Sequence, residues 1–130
     1  MRPEEYSPLN LAYLGDAVFE LMVRETLVAG SSENVCGLFR RAKAYVCASA
    51  QSQSYFRLFD RLSPSEQRVA KRGRNSKPGG KAKNASVMEY QHATGLEALF
   101  GYLYLSGKSD RLKELFAMCV PTEVESNEKQ

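Results

Sequence analysis

The chain of 130 residues carries little that serves cross-linking, zinc binding or membrane insertion. It has three cysteines, Cys36, Cys47 and Cys119. An odd number cannot pair completely within one chain, and no short metal-ligand spacing links them. With one histidine, His92, the chain supplies no Cys/His zinc set. The N-terminus has no secretory apolar region, so a reduced, cytoplasmic protein is expected, with its cysteines as small core residues. No apolar run reaches membrane-spanning length, because Asp16, Glu20 and Arg24 interrupt the longest one. No membrane partner is expected. Alternating strand patterns and internal repeats are missing as well.

Acidic residues are absent from one stretch, "KRGRNSKPGGKAKN" at 71–84, which holds six basic residues. The remainder carries 12 basic and 15 acidic residues, so the net charge of +3 is a local feature set into a mildly acidic body. Hydrophobic residues make up 43% of the chain, enough for one globular core.

Helical periodicity dominates and predicts an all-α domain over 1–120, with a polar, disordered tail at 121–130. Ser7-Pro8 is a start signal for a helix running to about Val28. A second helix is expected over 33–50, with Val35, Leu38, Phe39, Ala42, Tyr45 and Val46 on its apolar face. A third follows over 51–62, with Tyr55, Phe56, Leu58 and Phe59 facing inward. Ser63-Pro64-Ser65-Glu66 opens a short fourth helix to about Lys71. The glycines and proline of 72–84 predict an exposed loop. Helices at 86–105 and 110–119 complete the set, the former stopped by Ser106-Gly107-Lys108.

Two of these helices pose the same question. "NLAYLGDAVFELMV", residues 10–23, is apolar almost all round, yet Asp16 stands within it. "ATGLEALFGYLYL", residues 93–105, is apolar apart from Thr94 and Glu97. A buried carboxylate is costly unless paired, hydrogen-bonded or metal-bound. Small residues beside each acid (Gly15, Ala17, Gly95, Ala98) allow the two helices to approach closely. Facing carboxylates in a helical bundle are a means of holding a divalent ion, and oxygen ligands favour Mg²⁺, with Mn²⁺ as a substitute. Combined with the basic loop, the two acids point to Mg²⁺-dependent chemistry on a phosphate polymer. Lys71, Arg72, Arg74, Lys77, Lys81 and Lys83 are expected to neutralise its backbone. Asn75 is a further contact, and Gly73, Gly79 and Gly80 would let the main chain lie close to it. Glu20, one turn after Asp16, reads equally as a support to the metal site or as neutralised by Arg24 (i, i+4), and His92 would suit a general base, which metal-activated water does not need.

"NLAYLGDAVFE" resembles the signature segment of the ribonuclease III catalytic domain, and "ATGLEALFGYLYL" resembles its second acidic segment. With the "KRGRNSK" loop, and without a double-stranded-RNA-binding domain, the chain is similar to the short Mini-III subfamily over roughly residues 5–106. The resemblance implies an all-α, homodimeric helical bundle, an endoribonuclease that hydrolyses double-stranded RNA to leave 5′-phosphate and 3′-hydroxyl ends. It carries the family's catalytic, metal-ligating acids onto Asp16 and Glu97, and an aromatic dimer contact onto Tyr13. It further implies a role in maturing the ends of large-subunit (23S) ribosomal RNA, with a ribosomal protein as a partner. Longer ribonucleases III have acids where this chain has Ala12 and Thr94, and Glu33 is the acid nearest to their mid-domain glutamate. Those losses match the short subfamily. They also keep in view an alternative, a non-catalytic RNA-binding module of the same fold.

Overall fold

The computed structural model describes residues 1–76 and 85–122. Among them the regular elements are all helical: a 3₁₀ turn at Pro3–Glu5, then α1 (Pro8–Gly30), α2 (Val35–Val46), α3 (Ala48–Phe59), α4 (Pro64–Ser76), α5 (Ala85–Leu105) and α6 (Ser109–Phe116). No helix among the described residues is long and apolar enough to cross a membrane.

Local chemistry sets most of the boundaries. The Asn10 amide donates to Ser7 Oγ (3.1 Å) in front of Pro8, and the Gly37 amide donates to Asn34 Oδ1 (3.0 Å). At the start of α4 the Glu66 amide donates to Ser63 Oγ (3.2 Å), while Glu66 Oε1 accepts from the Ser63 amide (2.9 Å), a reciprocal capping box. Helix α5 ends at Gly107, whose φ of +70° suits glycine. The Lys108 and Gly107 amides donate back to Leu103 O and Tyr104 O (both 3.0 Å), which satisfies the last carbonyls.

Helix α5 is the axis of the molecule, with α1, α3 and α4 packed around it. That is the expected place for a helix that is apolar on every side. Leu96, Leu99, Phe100 and Leu103 are buried, and Phe19 of α1 meets Phe100 edge-on with ring centroids 5.2 Å apart. The chain after α6 is stitched across α2 and α3. Arg57 Nε donates to Met118 O (3.0 Å), the Val120 amide to Ser54 Oγ (3.2 Å) and the Thr122 amide to Ala44 O (2.8 Å). The rest of the expected tail, 123–130, lies outside the described residues.

Several expectations need correction. The helix predicted over 33–50 breaks at Cys47, whose extended ψ of 155° makes it both the end of α2 and the cap of α3. Helix α4 continues to Ser76, so Lys71, Arg72, Arg74 and Asn75 stand on a helix and not in a loop. Val35 and Phe39 are exposed because α2 is an outer helix, and the Arg24 guanidinium covers Phe39 at 5.5 Å from its ring centroid. Phe56 is exposed too, since the α3 face turned to the core carries Gln51, Tyr55 and Leu58. Cys36 is exposed and Cys47 half-buried. Only Cys119 is a core residue, and burial pushes its thiol up to about 12.

Candidate active site

The site is built by glycines. A Cβ on Gly15 of α1 would overlap the carbonyl oxygen of Glu97 in α5 and lie 2.8 Å from the Gly101 amide nitrogen. A Cβ on Gly101 would in turn overlap the carbonyl oxygen of Leu11. The two backbones therefore touch at this crossing, which only residues without side chains allow. Asp16 follows Gly15 directly, so the crossing sets the backbone of Asp16 next to that of Glu97.

Asp16 is exposed and Glu97 is half-buried. The premise that Asp16 is a charge buried in a core helix is thus corrected. Helix α1 looks apolar all round because it carries an apolar row that the fold leaves open: Leu9, Tyr13 (86% exposed) and Leu21. The positions flanking the acids are closed to charge. Ala12 packs with Leu11, Val69 and Ala98 where α1, α4 and α5 meet. Thr94 is buried, and its hydroxyl donates back to Tyr90 O at 2.8 Å.

A second pair of glycines seats α4 on the same axis. A Cβ on Gly73 would lie 2.7 Å from Ala98 Cβ and 3.0 Å from Gly95 Cα. Gly73 therefore serves helix packing and does not bring the main chain to a ligand. This contact holds the last turns of α4 beside the stretch of α5 that carries Thr94 and Glu97. Arg68, Lys71, Arg72 and Asn75 are exposed there, with Arg74 half-buried. Arg68 was missed from sequence. It lies three residues before Lys71 on the same helical face, a signal that becomes legible once the helix is extended to Ser76.

The basic groups differ in freedom. Lys71 Nζ lies 5.9 Å from the Phe59 ring centroid, and an Arg72 Nη donates to Glu4 O (3.1 Å) in the N-terminal 3₁₀ turn. Arg74 Nε donates to Asn75 Oδ1 (3.1 Å). Lys77, Lys81, Lys83, Gly79 and Gly80 lie outside the described residues.

Among the described residues no cluster of three or more His, Cys, Asp or Glu side chains forms a metal cage. The oxygen chemistry of Asp16 and Glu97 suits a hard cation of the Mg²⁺ type, which keeps several waters and takes one or two carboxylates plus substrate phosphates. Glu33 is engaged elsewhere, 3.6 Å from Arg41 Nε. Glu20 is paired with Arg24 at 2.8 Å, as the i,i+4 spacing predicts. His92 is buried, with Nδ1 2.8 Å from Met88 O and its ring against Tyr55 and Phe56. It is a packing residue.

Residues 9–108 match the Ribonuclease III domain family. A Mini-ribonuclease 3 from a Thermoanaerobacter species is 44% identical over 114 residues, covering 88% of this chain and 80% of its own. Another from Symbiobacterium thermophilum is 47% identical, covering 87% of each chain. A third from Enterococcus faecalis is 41% identical, covering 96% of this chain and 98% of its own. The crystal structure of a Fusobacterium nucleatum protein superimposes with a TM-score of 0.77 at 35% identity, covering 88% of this chain and 91% of that one. The chain belongs to the ribonuclease III family of endoribonucleases, within its Mini-ribonuclease 3 branch.

Proposed function

We propose that this protein cleaves double-stranded RNA with Mg²⁺ held by Asp16 and Glu97, and grips the duplex through the basic last turns of α4. The observation that supports the reading is the backbone contact between Gly15, the neighbour of Asp16, and Glu97. When bound, the cation supplies Lewis acidity at the scissile phosphate and a water made acidic enough to attack it. The chain's own part is positional. Asp16 and Glu97 provide the oxygen ligands, and Ala12 and Thr94 supply none. Lys71, Arg72, Arg74 and Asn75, with Arg68, neutralise backbone phosphates across the shallow minor groove of A-form RNA, where little base-specific contact is required. Lys77, Lys81 and Lys83 extend the same basic run in sequence.

The active unit in this reading is a homodimer. Tyr13 stands fully out on α1 in an i,i+4 row with Leu9 and Ala17, a surface suited to a symmetric partner. The biological substrate is precursor large-subunit (23S) ribosomal RNA in the cytoplasm, presented with a ribosomal protein. The test is incubation of a long RNA duplex with the protein, in Mg²⁺ or EDTA, beside an Asp16→Asn variant. Mg²⁺-dependent fragments that the variant fails to produce support the reading. Binding without cleavage by the unmodified protein sinks it.

A further inference from the structure

Two buried polar side-chain atoms have no hydrogen-bond partner among the described residues: Gln51 Nε2 and the Tyr55 hydroxyl, one turn apart on the inner face of α3. Such groups are rare in folded proteins, and each calls for a physical account. The surroundings of Tyr55 supply one. A Cβ on Gly95 would lie 2.8 Å from Tyr55 Cε2 and 3.2 Å from the Arg74 amide nitrogen. The missing side chain at residue 95 thus lets the ring edge of Tyr55 and the backbone of Arg74 share one space. Cε2 is bonded to the ring carbon that bears the hydroxyl, so the polar end of the ring is the end that reaches the last turn of α4. Tyr55 is 3% exposed, which leaves water little access to that hydroxyl. Burial pushes the phenol up, and the positive charge of Arg74, with a side-chain interaction that falls short of hydrogen-bond geometry, opposes that shift.

We propose that the Tyr55 hydroxyl is a positioning group for Arg74, accepting a hydrogen bond from its guanidinium and holding that charge against the RNA backbone. Arg74 is half-buried and its Nε donates to Asn75 Oδ1. The guanidinium has Asn75 as a partner on the solvent side, while the Arg74 backbone and the Tyr55 ring edge border the same space at Gly95. Arginine carries five N–H donors in a rigid fork, enough to meet an anchor on one edge and a phosphate on another. Without the anchor, the side chain must be ordered each time RNA binds. With it, part of that ordering is done in the free protein. A phenylalanine at position 55 would fill the same space and leave no orphan hydroxyl. The hydroxyl is therefore explained by what it does for Arg74, and not by packing.

The inference rests on the reading of α4 as an RNA grip, and a double-mutant cycle separates the two. Affinity for an RNA duplex is measured in EDTA for the unmodified protein, Tyr55→Phe, Arg74→Ala and the double variant, with thermal unfolding recorded for each. Tyr55→Phe is expected to keep or raise the unfolding midpoint while weakening binding about fivefold. In the Arg74→Ala background the same change should have no effect on binding. Equal losses in both backgrounds, or no loss in either, would overturn the positioning role while leaving Arg74 as a contact. An Arg74→Ala protein that binds duplex as well as the unmodified one would instead overturn the grip at this turn, and the positioning role with it. A lowered midpoint in Tyr55→Phe would assign the hydroxyl to stability and count against the proposal.

Discussion

The α carbon of Gly15 rests against the carbonyl of Glu97, and no side chain fits between them. This contact fixes the packing of α1 on α5 and sets the backbones of Asp16 and Glu97 side by side. Gly15→Ala should therefore destabilise the protein by about 3 kcal/mol or more, because neither backbone can move away without uncoupling the core. Helix propensity alone would favour alanine by about 1 kcal/mol, so the sign of the effect decides between propensity and packing. Gly30→Ala is the control. Nothing lies within 4 Å of its added Cβ, and a gain of about 0.5 kcal/mol is expected. Urea denaturation of both variants checks the pair.

Asp16 is exposed, so its removal should not change the fold's stability. Asp16→Asn is expected to unfold within about 0.5 kcal/mol of the unmodified protein. Its cleavage of duplex RNA should fall to background. Thermal unfolding and a gel-based cleavage assay on one preparation test the two halves together. A large stability change in either direction would mean that Asp16 has a structural partner.

These two cases also show what was legible in the sequence. Capping chemistry was readable: Ser7-Pro8 and Ser63-Pro64-Ser65-Glu66 mark helix starts that the structure bears out. The close approach of the two acid-bearing helices is borne out at Gly15, whereas Gly95 faces α3 and α4 and Ala17 is exposed. Two features are not legible, for physical reasons. Gly73 reads as part of a loop, yet its missing side chain is what lets α4 continue against α5, and packing outweighs its poor propensity. Asp16 reads as buried because its neighbours are apolar, but Leu9, Tyr13 and Leu21 are themselves exposed. Apolar composition reports burial only when every apolar face has a covering element within the same chain.

The clasp between α4 and α6 predicts a pH dependence. Arg111 Nε and an Nη donate to the two oxygens of Glu66 (3.0 and 2.8 Å), and the Nη also donates to Arg61 O (2.9 Å). Hydrogen bonding by the Arg111 guanidinium holds the Glu66 carboxyl below the usual carboxylate range, against the opposing effect of burial. A depressed carboxylate contributes stability that is full above its unfolded pKa of about 4.3 and is lost as pH falls through its folded value. Stability should therefore decline as pH is lowered through and below about 4. Glu66→Gln should cost about 2 kcal/mol near neutral pH and flatten that acid limb, as denaturation at several pH values would show.

The basic face of α4 predicts how salt should act on binding. Lys71 and Arg72 are exposed on the last turns of α4, and Arg72 keeps donors beyond the one given to Glu4 O. If each neutralises one phosphate, Lys71→Ala and Arg72→Ala should each reduce the slope of log affinity against log salt by about one. The losses should be equal for duplexes of different sequence, because phosphate contacts carry no base information. Arg72→Ala should show an additional effect that Lys71→Ala lacks. Releasing the Glu4 carbonyl frees the N-terminal 3₁₀ turn from α4, so protease cleavage within residues 1–6 should quicken in that variant alone. Equal protease sensitivity in the two variants would mean that the turn is held by Tyr6, which packs against the cluster of Leu11, Ala12, Val69 and Ala98, and not by the arginine.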